Sequence, residues 1–240
     1  MKKTLLLLLP LAAALQPPFL AAASPPNATH AAAPTSPRDD VVRQVDSCEA
    51  ILREFMASPA TAIPPKVLGA ARAIIITNQF KVGLFFGIQG GYGVILVKKP
   101  NGQWSVPAVL RAGEASLGLQ LGGKSVETVY IITNDQTPRQ LLAGRLDFGA
   151  DAKAVAGPKS ADAESWQDGS MLKIPVLVYA KDAGLYAGAT VKAGFVSRDD
   201  DSNHLLYNTS YDLPELLYGD FVKPNKDVQF LRNYVQKIAP

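Results

Sequence analysis

Seven cations stand between residues 60 and 126 against a single acid. They are Lys66, Arg72, Lys81, Lys98, Lys99, Arg111 and Lys124, opposed only by Glu114, so the segment carries +6. Such a set can attract anions, either a phosphorylated headgroup or an anionic lipid surface. Long lysine stems let a charge reach a headgroup while the methylenes stay on the protein. Lys98 and Lys99 precede Pro100-Asn101-Gly102. Asn-Gly is a hairpin signal, because it tolerates the positive φ of tight turns. That places at least one of the two ammoniums on an exposed rim, with Lys81 on the same or the opposite one. The competing reading is that the seven are solubilising residues scattered over several faces.

Other chemistries find little to work with. Nucleophilic catalysis needs a base beside its nucleophile, and the histidines are His30 and His204. Cys48, the one cysteine, falls on an apolar helical stripe, where a thiol is buried and inert. A metal is not expected, because no Cys/His cluster exists. The glycine string 87–93 resembles a phosphate loop, but that motif requires a following helix, and here a strand follows. Arg198-Asp199-Asp200-Asp201-Ser202-Asn203 could gather hard oxygens around calcium; it reads better as a solvated hairpin turn. The expectation is a protein that is not an enzyme and takes no cofactor.

The chain has 240 residues, with 24 Lys+Arg and 21 Asp+Glu. It opens Met1-Lys2-Lys3, runs into Leu5–Leu9, and reaches small residues at Ala21-Ala22-Ala23. This is the tripartite pattern of a signal peptide over residues 1–23, cleaved after Ala23. Its apolar run is shorter than the ~20 residues of a membrane span. Loss of the leader removes two lysines and leaves +1, so a nucleic-acid partner is not expected. Residues 24–38, rich in Pro, Ala, Ser and Thr, read as a flexible spacer. Residues 39–240 then form a single domain, exported to the periplasm or outside, soluble or peripheral on a membrane.

The elements that must position these residues begin with a helix over about Asp40–Ala57. Val41, Val45, Cys48, Leu52 and Phe55 step by four, three, four and three. Asp39 or Asp40 should cap it, and Pro59 should end it. Its polar side is net negative, the wrong sign for an anionic membrane, so the stripe should pack on a sheet. A short helix should start at Pro64-Pro65. Strands are expected over 73–77, 82–86, 92–98, 103–110, 117–121, 126–133 and 174–180. A long strand over 185–196 should close a second hairpin across residues 182–184. Short helices should follow near 138–143, 214–218 and 227–238. Gly83, Gly87, Gly90, Gly91 and Gly93 would weaken a flat sheet and fit a bent one. The fold class is α+β: a strongly curved antiparallel sheet or barrel-like core, flanked by N-terminal helices and short C-terminal helices.

Four stretches in order carry a family resemblance: FKVGLFFGIQGGYGVILVKKPNGQWSVPAVL, LGLQLGGKSVETVYIITN, FGADAKAVAGP and GLYAGATVKAGFVSRDD. Across about residues 66–207 the chain resembles the SYLF-domain family, the yeast actin-patch type domain, in its secreted bacterial branch. The resemblance implies binding of phosphoinositides or other anionic lipids. In eukaryotic members this uses an N-terminal amphipathic helix and basic residues, and some members bundle actin. The expected function is a non-enzymatic lipid-binding module exported from the cytoplasm; the alternative is a cell-envelope or actin-type protein-interaction module.

Overall fold

The structure, a computed structural model, describes residues 36–82, 88–114, 124–157, 170–182, 185–186 and 194–240. The leader, most of the spacer, Gly83, Gly87 and the strand expected over 117–121 lie outside the described residues, as do most of the 82–86 strand and residues 187–193 of the long strand.

Helix α1 spans Pro37–Ala57, so it starts two residues inside the stretch read as spacer. Its cap is Ser36, not Asp39 or Asp40. The Ser36 hydroxyl accepts from the Asp39 N–H at 3.1 Å, and the Asp39 carboxylate accepts from the Ser36 N–H at 3.2 Å. Asp39 is thus the third residue of a capping box. Val41, Val45, Cys48, Ile51, Leu52 and Phe55 are buried along one face. At the other end the Thr61 hydroxyl donates to the Phe55 carbonyl at 2.9 Å, which satisfies a helix-terminal acceptor. A single turn, α2 (Pro65–Gly69), leads into the sheet.

Among the described residues nine strands follow: β1 (Ala73–Val82), β2 (Ile88–Val97), β3 (Ala108–Glu114), β4 (Lys124–Ile132), β5 (Arg145–Asp147), β6 (Ala154–Ala156), β7 (Val176–Asp182), β8 (Leu185–Tyr186) and β9 (Gly194–Arg198). Their order is β5-β9-β3-β2-β1-β4-β7-β6, with β8 beside β7, and the sheet curls into a half-barrel. Pairing is antiparallel except between β6 and β7. β1 is central, and Ile74, Ile75 and Ile76 are all fully buried, because both faces of the sheet are covered. One face packs Ile74, Ile76, Val94 and Leu96 under α1; the other packs Ile75, Ile95, Leu110 and Val196 in a second core. Gly91 and Gly93 have a definite job in that curl. A Cβ on Gly91 would lie 2.2 Å from the Asn78 carbonyl oxygen, and one on Gly93 would lie 2.6 Å from that of Ile76. The backbones of β1 and β2 close up where a side chain would hold them apart.

The run after β9 differs from expectation. The acidic run after Arg198 is no hairpin turn: Asp199 caps α4 (Asp200–Tyr207), accepting from the Ser202 hydroxyl at 2.9 Å. The strand expected over 185–196 is described at its two ends, β8 and β9, and residues 187–193 lie outside the described residues. β8 starts the hairpin with β7, whereas β9 pairs with β3 and β5. Helix α3 (Gln136–Gln140) leads into a 3-10 turn over Leu141–Ala143, and α5 (Leu213–Tyr218) and α6 (Gln229–Ile238) close the chain.

Candidate anion-binding pocket

The first strand is entered through Arg72, and its backbone ties three elements together. The Arg72 N–H donates to the Ile132 carbonyl at 2.7 Å, at the end of β4. The Arg72 carbonyl accepts from the Lys98 N–H at 2.8 Å, just past β2. The Lys99 N–H donates to the Gln103 carbonyl at 2.8 Å, closing the Pro100-Asn101-Gly102 turn, in which Gly102 has φ +78°. These ladder-end bonds fix Arg72, Lys98 and Lys99 at one end of the sheet. From β4 the chain turns through Asp135 into α3, which brings Arg139 to the same end. Helix α5 ends there with Tyr218.

The result is a cavity of about 330 Å³ lined by Arg72, Lys98, Lys99, Pro100, Asp135, Arg139 and Tyr218, among others. Four cations face one acid. Lys99 is only 14% exposed and is committed inward: it donates to the Gly219 carbonyl at 2.5 Å and pairs with Asp220 at 2.6 Å. Lys98, half-buried, donates to a Pro240 oxygen. The rim lysines are therefore less open than the turn signal suggested, because the C-terminal elements fold over the hairpin. Arg72 and Arg139 are exposed and, among the described residues, form no ion pair. The Arg139 guanidinium lies over the Tyr218 ring, 4.5 Å from its centroid. The Tyr218 hydroxyl is buried and has no hydrogen-bond partner among the described residues. Burial pushes the Tyr218 phenol up, the Arg139 charge works against this, and the Asp135 charge adds to it. At neutral pH the phenol is thus neutral, with the Arg139 guanidinium over its ring. Guanidiniums match the geometry of phosphate oxygens in pairs.

The remaining cations go elsewhere. Lys66 is exposed on α2. Arg111 pairs with Asp199 at 3.0 Å and stands 3.8 Å from Asp201, so the acidic run neutralises it. Lys81 and Lys124 are register partners at the far end of β1, about 30 Å along the strand from Arg72. The sequence reading missed Arg139 and Tyr218. Arg139 lies just past the basic stretch, in a helix whose placement depends on how β4 ends, and Tyr218 is one aromatic among eight tyrosines. Among the described residues no three of His, Cys, Asp and Glu gather as metal ligands, and no helix is long and apolar enough to cross a membrane.

Comparison with known proteins bears on this site. Residues 113–238 match the family model described as Ysc84, Las17-binding protein actin regulator. The match starts at residue 113, after the first of the four motifs and after Arg72, Lys98 and Lys99, and it extends beyond residue 207, so it includes Arg139, α5 and Tyr218. An SH3 domain-containing protein, PJ696.02, of Schizosaccharomyces pombe is 30% identical over 165 residues, covering 68% of this chain and 38% of that protein. The SH3 domain-containing YSC84-like protein 1 of Bos taurus is 26% identical over 180 residues, 72% of this chain and 52% of its own. Protein YSC84 of Saccharomyces cerevisiae is 28% identical over 159 residues, 65% of this chain and 34% of its own. The chain thus spans about half, or less, of these relatives' length. No solved structure matches it significantly.

Proposed function

The chain belongs to the Ysc84 family, and from that premise we propose that it is a non-enzymatic, exported member of the secreted bacterial branch that binds the anionic headgroups of a phospholipid surface. The observation that carries the reading is that Arg72 and Arg139, which form no ion pair among the described residues, line one 330 Å³ cavity together with Tyr218. A phosphoinositide, or another lipid with an exposed phosphate, offers an anion of the kind that guanidiniums hold. Lys98 and Lys99 set the local potential and hold the walls, so their removal would disturb structure as well as charge. The discriminating variant is therefore Arg72→Gln with Arg139→Gln.

Each charge near an anionic surface contributes about 1 kcal/mol, so the double variant should bind vesicles roughly thirtyfold more weakly. The deficit should shrink at high salt, because screening already weakens the wild type. Co-sedimentation with phosphatidylcholine vesicles, with and without phosphatidylglycerol or a phosphoinositide, measures this; melting curves confirm folding. Equal binding by wild type and variant would dismiss the pocket. No binding by either protein to any anionic vesicle would leave the protein-interaction alternative, which the family's description as Las17-binding supports. Export is tested separately: the exported protein should read Ser-Pro-Pro from Ser24, and an intact Met1 would contradict it.

A further inference from the structure

The segment that follows Tyr218 has a composition at odds with an ordinary surface loop. Phe221 is 67% exposed, among the most open large apolar side chains described. It is nevertheless held in place. Its ring stacks on Tyr211, itself 39% exposed, with centroids 5.3 Å apart. It also packs over Gly219, where an added Cβ would come within 2.6 Å of the ring. Lys223 and Lys226 follow, both exposed. The one acid between Gly219 and Lys226 is Asp220, an exposed carboxylate that pairs with Lys99 at 2.6 Å. Lys99 also holds the Gly219 carbonyl. The cation that forms a wall of the pocket thus pins the base of this segment, and Tyr218, three residues before Phe221, lines the pocket itself.

We propose that Gly219–Lys226 is a membrane-entering crest: Phe221, braced by Tyr211, enters the headgroup–acyl boundary of an anionic bilayer, while Lys223 and Lys226 meet the phosphates around it. The inference rests on the lipid reading of the neighbouring pocket and adds the apolar half of the contact. An exposed aromatic ring with lysines close after it in the chain suits interfacial insertion. A protein partner fits less well. Two aromatic side chains offer at most a few hundred Å² between them, whereas a stable protein interface needs about 800 Å² on each side. Preordering also favours insertion, since the ring is already fixed and little rotamer freedom is lost on entry.

The test uses the full chain and phosphatidylcholine–phosphatidylglycerol vesicles. Phe221→Ser should bind them roughly tenfold more weakly, the loss expected for one half-buried phenyl ring. Its affinity for a soluble polyanion, inositol hexakisphosphate, should stay at the wild-type value, because the pocket is untouched. Phe221→Trp should shift its emission to the blue on vesicles and be quenched by lipids brominated on their acyl chains. If Phe221→Ser binds vesicles as wild type does, or if Phe221→Trp is not quenched, the crest does not insert and the inference is overturned. The pocket reading fails separately: Arg72→Gln with Arg139→Gln would then leave vesicle and polyanion binding intact while Phe221→Trp is still quenched. Phe221 is exposed, so its variants should melt with the wild type.

Discussion

Asn203 is fully buried on α4, and its amide replaces a missing strand. β9 pairs with β3 only as far as Leu110, opposite Arg198. One residue further along β3, the Val109 N–H donates to Asn203 Oδ1 at 2.7 Å, and the Val109 carbonyl accepts from Asn203 Nδ2 at 3.0 Å. Nδ2 also donates to the Asp199 carbonyl at 2.9 Å, joining the ladder to the start of its own helix. Truncation in Asn203→Ala leaves a buried N–H and a buried C=O unmet. Each costs about 1–3 kcal/mol, so the variant should lose roughly 4 kcal/mol. For a domain of this size that lowers Tm by roughly 10 °C.

Asn203→Asp is the sharper probe. It keeps an acceptor for the Val109 N–H but, when ionised, has no donor for the Val109 carbonyl. Burial raises its folded-state pKa above the ordinary value of about 3.9. The protonated acid restores the donor, so the variant should recover stability as pH falls from 7 toward 5 and lose it as pH rises through the raised pKa. Urea melts of wild type and both variants across this range are the assay. A loss below about 1 kcal/mol for Asn203→Ala, or a gap between Asn203→Asp and wild type that is constant with pH, would refute the reasoning.

Two further outcomes are expected from buried positions. Cys48 is fully buried, and burial pushes its thiol up, so labelling at pH 8 should be slow in the native protein and fast in denaturant; rapid native labelling would mean that α1 leaves the sheet. Gly91→Ala puts a methyl 2.2 Å from the Asn78 oxygen and should cost at least about 2 kcal/mol in urea melts, with β1 and β2 forced apart; an unchanged midpoint would show that the sheet relaxes freely there.

Elements whose pattern is local were legible in the sequence, and those made by chain return were not. The stripe from Val41 to Phe55 gave α1 its face, because helical periodicity does not depend on the partner. The cap was misplaced because Ser36 sits in a stretch of Pro, Ala, Ser and Thr that reads as spacer; only Asp39, three residues on, betrays the box. The run after Arg198 carried both signals at once. Asp and Ser favour turns and helix caps alike, and burial of Leu206 beside Asn203 decides for the helix. The pocket was half legible. Arg72 was named for charge, Lys98 and Lys99 for charge and for the turn beside them, and what unites the three is register: β1 begins where β2 and β4 end. Arg139 and Tyr218 join them through α3 and α5, which fold back over that end of the sheet.

The same geometry bears on how a member of this family could meet a membrane. The resemblance implies an N-terminal amphipathic helix as the lipid-binding element in eukaryotic members, but in this chain α1 is already in use. Six of its apolar side chains lie against the sheet at 4% exposure or less, a contribution on the order of 10 kcal/mol. Lifting the helix onto a bilayer would uncover Ile74, Ile76, Val94 and Leu96 beneath it. Its outward face is no better suited. Asp40 pairs with Arg43, and Glu49 with Arg53 at 2.7 Å, so its cations are taken; Arg53 also lies over the Tyr234 ring, 4.1 Å from its centroid. Arg38 is drawn to Asp227 at 2.6 Å. The pocket and the segment after it have other properties: two guanidiniums, Arg72 and Arg139, that form no ion pair among the described residues, and a braced, exposed phenyl ring followed by two lysines, none of them buried in either core. A membrane contact made there leaves both cores closed, whereas one made through α1 opens the larger of the two.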